Sequence, residues 1–116
     1  MEKTLVISGK AVRFKATAAT LLRYKSAIGR EFLTDCALLE QFVTIGEDGQ
    51  TQIRNIEAMN LDLAFGVAWA MAKTADNDIP DMLTWLDSFN EFDVATVIRE
   101  LFPMLRGFLK TDVKNA

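Results

Sequence analysis

Residues 60–73, Asn-Leu-Asp-Leu-Ala-Phe-Gly-Val-Ala-Trp-Ala-Met-Ala-Lys, constrain the fold more than any other stretch of the chain. On a helical wheel of about 100° per residue, Leu61, Phe65, Ala68, Trp69 and Ala72 take one side, and Leu63, Val67, Ala70 and Met71 take the other. Only Asp62, Gly66 and Lys73 mark a polar wedge. A helix that is apolar nearly all round must be covered nearly all round. The reading preferred over burial against another chain is a central helix within one domain, because a small helical domain needs one such element.

One cover is visible upstream, in a β-hairpin expected over residues 3–16. Thr4-Leu5-Val6-Ile7 is β-prone, Ser8-Gly9 offers a turn, and Ala11-Val12-Arg13-Phe14-Lys15 alternates with period two. Val12 and Phe14 oppose Arg13 and Lys15, so one face is wet and the other rests on something apolar. A lone hairpin is marginal in water, which requires helices to supply that surface.

The remaining chain carries helical signals. Thr17 is an N-cap for a helix over 17–28 in which Leu21, Tyr24 and Ile28 share a face, and Gly29 ends it. Phe32, Cys36, Leu39 and Val43 form a stripe over 31–43. Gly46-Glu47-Asp48-Gly49 lacks the regularly spaced oxygen ligands of a calcium loop and reads as a solvated connection. A third helix is expected over 53–74, closed by Asp76-Asn77-Asp78. Asp78 with Pro80 opens a fourth over 79–89. Asn90, three residues before Asp93, gives a weaker capping arrangement for a fifth over 91–110. There Val94, Val97, Ile98, Leu101, Phe102, Leu105, Phe108 and Leu109 form one stripe opposite Arg99, Arg106 and Lys110, with Pro103 on the polar side as a source of a kink. Residues 111–116 carry no pattern and are expected to fray. The fold expected is α+β, mostly α: an N-terminal hairpin and about five helices in a single compact domain over 1–116.

At 116 residues, half apolar and a quarter charged, the chain suits one globular core. Net charge is −3 and the thirteen Lys and Arg residues are dispersed, which argues against a nucleic-acid partner. The longest apolar run, residues 63–72, falls well short of the ~20 that a spanning helix needs, and no signal peptide opens the chain. No membrane association is expected. Cys36 alone cannot make an internal disulfide, in keeping with a reducing, cytosolic setting, and is expected to serve as a small buried apolar residue.

Catalytic apparatus is hard to find in this composition. There is no histidine, which removes the commonest general base and metal ligand, and with it zinc sites and the serine, cysteine and zinc protease constellations. Asp76/Asp78, Asp78/Asp81 and Glu91/Asp93 are carboxylate pairs, but each sits at a helix junction where capping accounts for it. No catalytic, cofactor-binding or metal-ligating residue is assigned, and the chain is not expected to be an enzyme. The remaining signal is aromatic. Trp85, Phe89, Phe92, Phe102 and Phe108 crowd the C-terminal third; most should be core, yet their number exceeds what a thin helical layer buries. With Met104 they form the candidate protein-partner surface.

The opening residues 3–16 with Gly9-Lys10 at the turn, the Leu21-Leu22-Arg23-Tyr24 helix and the Gly29-Arg30-Glu31-Phe32-Leu33 step resemble the start of phage tail assembly chaperones. The small-residue-rich helix 61–73, the short helix behind Asp78-Ile79-Pro80 and the helix 94–109 follow that family's layout, so the resemblance covers nearly the whole chain. The 46–50 loop and Pro103 depart from it. The resemblance implies a phage or prophage protein that binds the long helical tape measure protein and keeps it soluble during tail morphogenesis. It also implies a homo-oligomer or an assembly of many copies along the client, in host cytoplasm and outside the mature virion. A longer form made by frameshifting would draw on Lys114-Asn115. The alternative is a small structural tail or head-tail joining protein of the virion; a DNA-binding helical regulator sits poorly with the acidic balance.

Overall fold

The computed structural model describes residues 1–110, apart from the side chain of Lys110. β1 (Glu2–Ile7) and β2 (Lys10–Lys15) pair antiparallel, with Leu5 opposite Val12 and Lys3 opposite Phe14. Ser8 and Gly9 both adopt positive φ, 50° and 76°, the two-residue turn whose twist matches that of the strands. The period-two pattern is realised: Ile7, Val12 and Phe14 are buried, whereas Val6, Ala11 and Arg13 face out.

α1 (Ala18–Ile28) begins behind Thr17, whose hydroxyl accepts from the Ala19 N–H while Thr20 Oγ1 accepts from the Thr17 N–H. It ends at Gly29 with φ 82°, as the left-handed cap requires. α2 (Phe32–Glu40) buries Phe32, Asp35, Cys36 and Leu39.

The next segment corrects the helical expectation. α2 stops at Glu40 rather than 43, and β3 (Val43–Ile45) and β4 (Thr51–Ile53) form a second antiparallel hairpin around residues 46–50. A single 3₁₀ turn, Ile56–Ala58, follows, so the helix expected from 53 starts only at Leu61. β-branched Val43, Thr44, Ile45, Thr51 and Ile53 favour extended backbone on both sides of a turn in which Gly49 takes φ 82°. Val43 is buried as the stripe required, but from a strand.

α3 (Leu61–Ala75), capped by the Asn60 side chain on the Asp62 N–H, is the central helix. Nine of its residues are buried, and it touches β2, α1, α2, α4 (Met82–Asp87) and α5 (Val94–Lys110). Buried Thr20 on α1 meets Thr74 on α3 at 2.9 Å between hydroxyls, and Thr74 donates on to Ala70 O at 2.7 Å. Gly66 is no part of a polar wedge: it is buried where α1 approaches. A Cβ there would lie 2.8 Å from Ile28 Cδ1 and 3.1 Å from Tyr24 Cε1. Ile28 can turn aside, but the Tyr24 ring is fully buried and edge-on to Phe32 at 5.3 Å between centroids. Gly66→Ala is therefore expected to destabilise by about 1–2 kcal/mol in urea unfolding, the overpacking exceeding the ~1 kcal/mol that alanine gains in a helix. A more stable variant would contradict this packing.

Two helix starts also move. α4 opens behind Asp81, not Asp78; Asp81 accepts from Thr84 N at 3.3 Å and Thr84 Oγ1 at 2.7 Å. Pro80 lies ahead of the helix, its carbonyl accepting from Trp69 Nε1 at 2.8 Å. α5 opens behind Asp93, which accepts from Thr96 N at 3.2 Å and Thr96 Oγ1 at 2.8 Å, so the cap is Asp93 rather than Asn90. The stripe on α5 buries Val97, Ile98, Leu101, Phe102 and Leu105, and the helix continues through exposed Pro103. Residues 111–116, including Lys114-Asn115, lie outside the described residues.

The hairpin turn is fastened to the junction between α4 and α5. Ser8 Oγ donates to Glu91 O at 2.9 Å and accepts from Glu91 N at 2.8 Å, while Lys10 Nζ donates to Ser88 O at 2.7 Å. Arg13 reaches from β2 to Ala75 O at 2.9 Å, closing the end of α3. The radius of gyration, 13.7 Å, is that of a single compact unit of this length. The architecture is thus α+β and mostly α, as the sequence indicated.

Candidate functional site

The six residues of the expected partner surface divide in two. Trp85 and Phe102 are 3% and 1% exposed and belong to the core. Phe89, Phe92, Met104 and Phe108 are half-buried against that core. Trp85 stands edge-on to Phe14, Phe89 and Phe92, with centroids 6.5, 5.3 and 5.7 Å away, and Phe65 of α3 joins through Phe92 at 5.6 Å. The crowding of aromatics therefore serves mainly to close the domain: the ring cluster ties β2, α3, α4 and the α4–α5 junction together. Trp85 and Phe102 cannot act as surface anchors in this fold, because reaching a partner would mean leaving the core.

An apolar groove of about 240 Å3 lies instead where the end of α2 meets the start of α3. Leu38, Leu39, Phe42, Ala58 and Leu63 line it, with Gln41 and Asn60 supplying polar groups. Leu38 is 39% exposed and the adjacent helix start carries Leu61 at 40%. Sequence reasoning missed this groove. Its signal was Leu38, an apolar residue off the buried stripe of α2, but the groove exists only because the second hairpin turns Phe42 and the 3₁₀ segment toward it.

A second arrangement absent from the sequence reading is a charged group in the core. Asp35 is 0% exposed, and its carboxylate accepts from Tyr24 Oη at 2.6 Å and from Arg30 Nε and Nη2 at 2.8 and 2.7 Å. Arg30 itself is half-exposed, so the guanidinium bridges solvent and core. Hydrogen bonding to Arg30 holds the Asp35 carboxyl below the usual carboxylate range, against the opposing effect of burial, and the Tyr24 hydroxyl adds to it. Burial and the bond to Asp35 raise the Tyr24 phenol well above its ordinary value, so it stays protonated and donates. Burial pushes the neighbouring Cys36 thiol up to about 12, which keeps it protonated and unreactive at neutral pH. Three hydrogen bonds from the chain itself hold this carboxylate, which makes the triad a clamp joining α1, α2 and the loop between them.

Of the junction carboxylates, Asp81 and Asp93 act as helix caps. Asp81 and Asp93 are held below the usual range by the Thr84 and Thr96 side chains and backbone. Among the described residues no cluster of metal-ligating side chains occurs, and no helix is long and apolar enough to cross a membrane. Compared with family models, curated proteins and solved structures, the chain matches none.

Proposed function

We propose that this chain is a tail assembly chaperone of phage or prophage type, which binds the helical tape measure protein and keeps it soluble while the tail is built. The reading rests on the resemblance of residues 3–16, 21–33 and 61–109 to that family. The observation that carries it here is the apolar groove beside Leu38 and Phe42. A long amphipathic client must have its apolar stripe covered, and a groove with apolar walls and a polar rim accepts one anchor side chain of such a helix. The client surface thus moves away from Trp85 and Phe102 to the residues that line this groove. Many copies along one client, and a site of action in host cytoplasm, belong to the same proposal.

Co-expression with the tape measure protein of the same gene cluster tests it. The client should move into the soluble fraction and co-purify with this chain. A client that is no more soluble with the chain than without it, and does not co-purify, overturns the proposal.

A further inference from the structure

The cleft between the two hairpins holds an arrangement that the chaperone reading does not use. Its volume is about 650 Å3, with β4 along it and Lys3 of β1 and Arg99, Glu100 and Pro103 of α5 completing the lining. Gly46 N donates to Gln50 O at 2.8 Å and Arg54 N to Phe42 O at 2.9 Å. The bonded pairs of the β3–β4 ladder are therefore Gly46/Gln50, Thr44/Gln52 and Phe42/Arg54. It follows that the main-chain N–H and C=O groups of Thr51 and Ile53 point away from β3, at an edge that no other strand among the described residues covers.

Two further observations concern the same cleft. Thr51 is only 9% exposed, and its Oγ1 is buried without a hydrogen-bond partner, a costly state for a polar atom. Lys3 Nζ lies 3.2 Å from Glu100 Oε1 and Arg99 Nε 3.8 Å from Glu100 Oε2. Two cations share one carboxylate, which leaves the cleft with a net positive charge.

We infer that this cleft docks an extended, acidic peptide segment of a partner protein. The segment adds as a strand to the free edge of β4 through Thr51 and Ile53, and one of its carboxylates completes the charge between Lys3 and Arg99. The body of a helix has no unpaired main-chain groups to run along this edge, so the occupant is extended. The inference stands independently of the chaperone reading, since it involves neither the apolar groove nor a helical client.

The test is an amide-resolved NMR titration of the full chain with an N-acetylated octapeptide of alternating valine and glutamate. The Thr51 and Ile53 amides should shift and become protected from exchange. Affinity should fall about tenfold or more in the Lys3→Glu/Arg99→Glu variant, whose two side chains are 38% and 45% exposed and tolerate the change. Replacing the glutamates by lysine should abolish binding to the native chain and restore it to the charge-reversed one, and N-methylation of alternate peptide residues should abolish it in both. Unmoved Thr51 and Ile53 amides at millimolar peptide overturn the inference. So does equal affinity for native and charge-reversed chains, or undiminished binding of the N-methylated peptide.

Discussion

Replacing Asp35 by alanine should cost about 3 kcal/mol of stability and lower the melting temperature by about 10–15 °C. The carboxylate is fully buried and receives three hydrogen bonds, from Tyr24 and twice from Arg30. Its removal leaves the Tyr24 hydroxyl, itself buried, without a partner and unties the loop that carries Arg30 from α2 (Phe32–Glu40). Tyr24→Phe should cost less, about 1 kcal/mol, because the ion pair with Arg30 survives. The pH dependence has a definite sign. The folded-state pKa of Asp35 is depressed, chiefly by Arg30, so its contribution is fully present above the ordinary carboxylate value near 4 and is lost as pH falls through the folded value. Asp35→Asn should flatten that acid limb of the stability curve. Thermal melts between pH 2 and pH 7 check both statements, and an acid limb unchanged in Asp35→Asn would contradict the clamp.

Trp85→Ala should be the most damaging single change on the C-terminal side, about 4 kcal/mol in urea unfolding. The indole is 3% exposed and meets three aromatic rings from β2 (Lys10–Lys15) and from the residues after α4 (Met82–Asp87), so its loss leaves a cavity that rigid neighbours cannot fill. Phe89→Ala, at a half-buried ring, should cost about 1–2 kcal/mol. A Trp85→Ala chain that kept its stability and lost only partner binding would reinstate Trp85 as a surface anchor.

What the sequence made legible was whatever depends on near neighbours in the chain. The alternation of Val12 and Phe14 with Arg13 and Lys15, the Thr17 and Gly29 caps, and the stripe from Val97 to Leu105 all appear in the fold as read. The central position of α3 (Leu61–Ala75) was legible because a helix apolar on nearly every side has few alternatives. The second hairpin was not, because three-residue strands are too short to show an alternation, and Val43 falls four residues after Leu39, in register with a helical stripe. Gly66 looked polar because a missing side chain gives no sign of what packs into the space, here Tyr24. Asp35 sat within an apolar stripe, but its partners depend on how α1 (Ala18–Ile28) and α2 cross. The apolar groove is likewise a product of the misread segment, since Phe42 and Ala58 reach Leu38 only through the turn of β3 (Val43–Ile45) and β4 (Thr51–Ile53). Of the C-terminal aromatics, Trp85 and Phe102 lie in the core while Phe89, Phe92 and Phe108 stay half-buried, a division set by helix packing and so not visible in the residue types.

The claim at the centre of this account is that a helical client is held at the groove beside Leu38. It is tested most directly by co-purifying the tape measure protein with three forms of the chain: native, Leu38→Glu and Leu83→Glu. Leu38 and Leu83 are both exposed, at 39% and 71%, but only Leu38 lines the groove. The account predicts that Leu38→Glu stays folded by circular dichroism and loses the client, whereas Leu83→Glu retains it at the native level. Equal recovery of client with Leu38→Glu and the native chain would contradict the account.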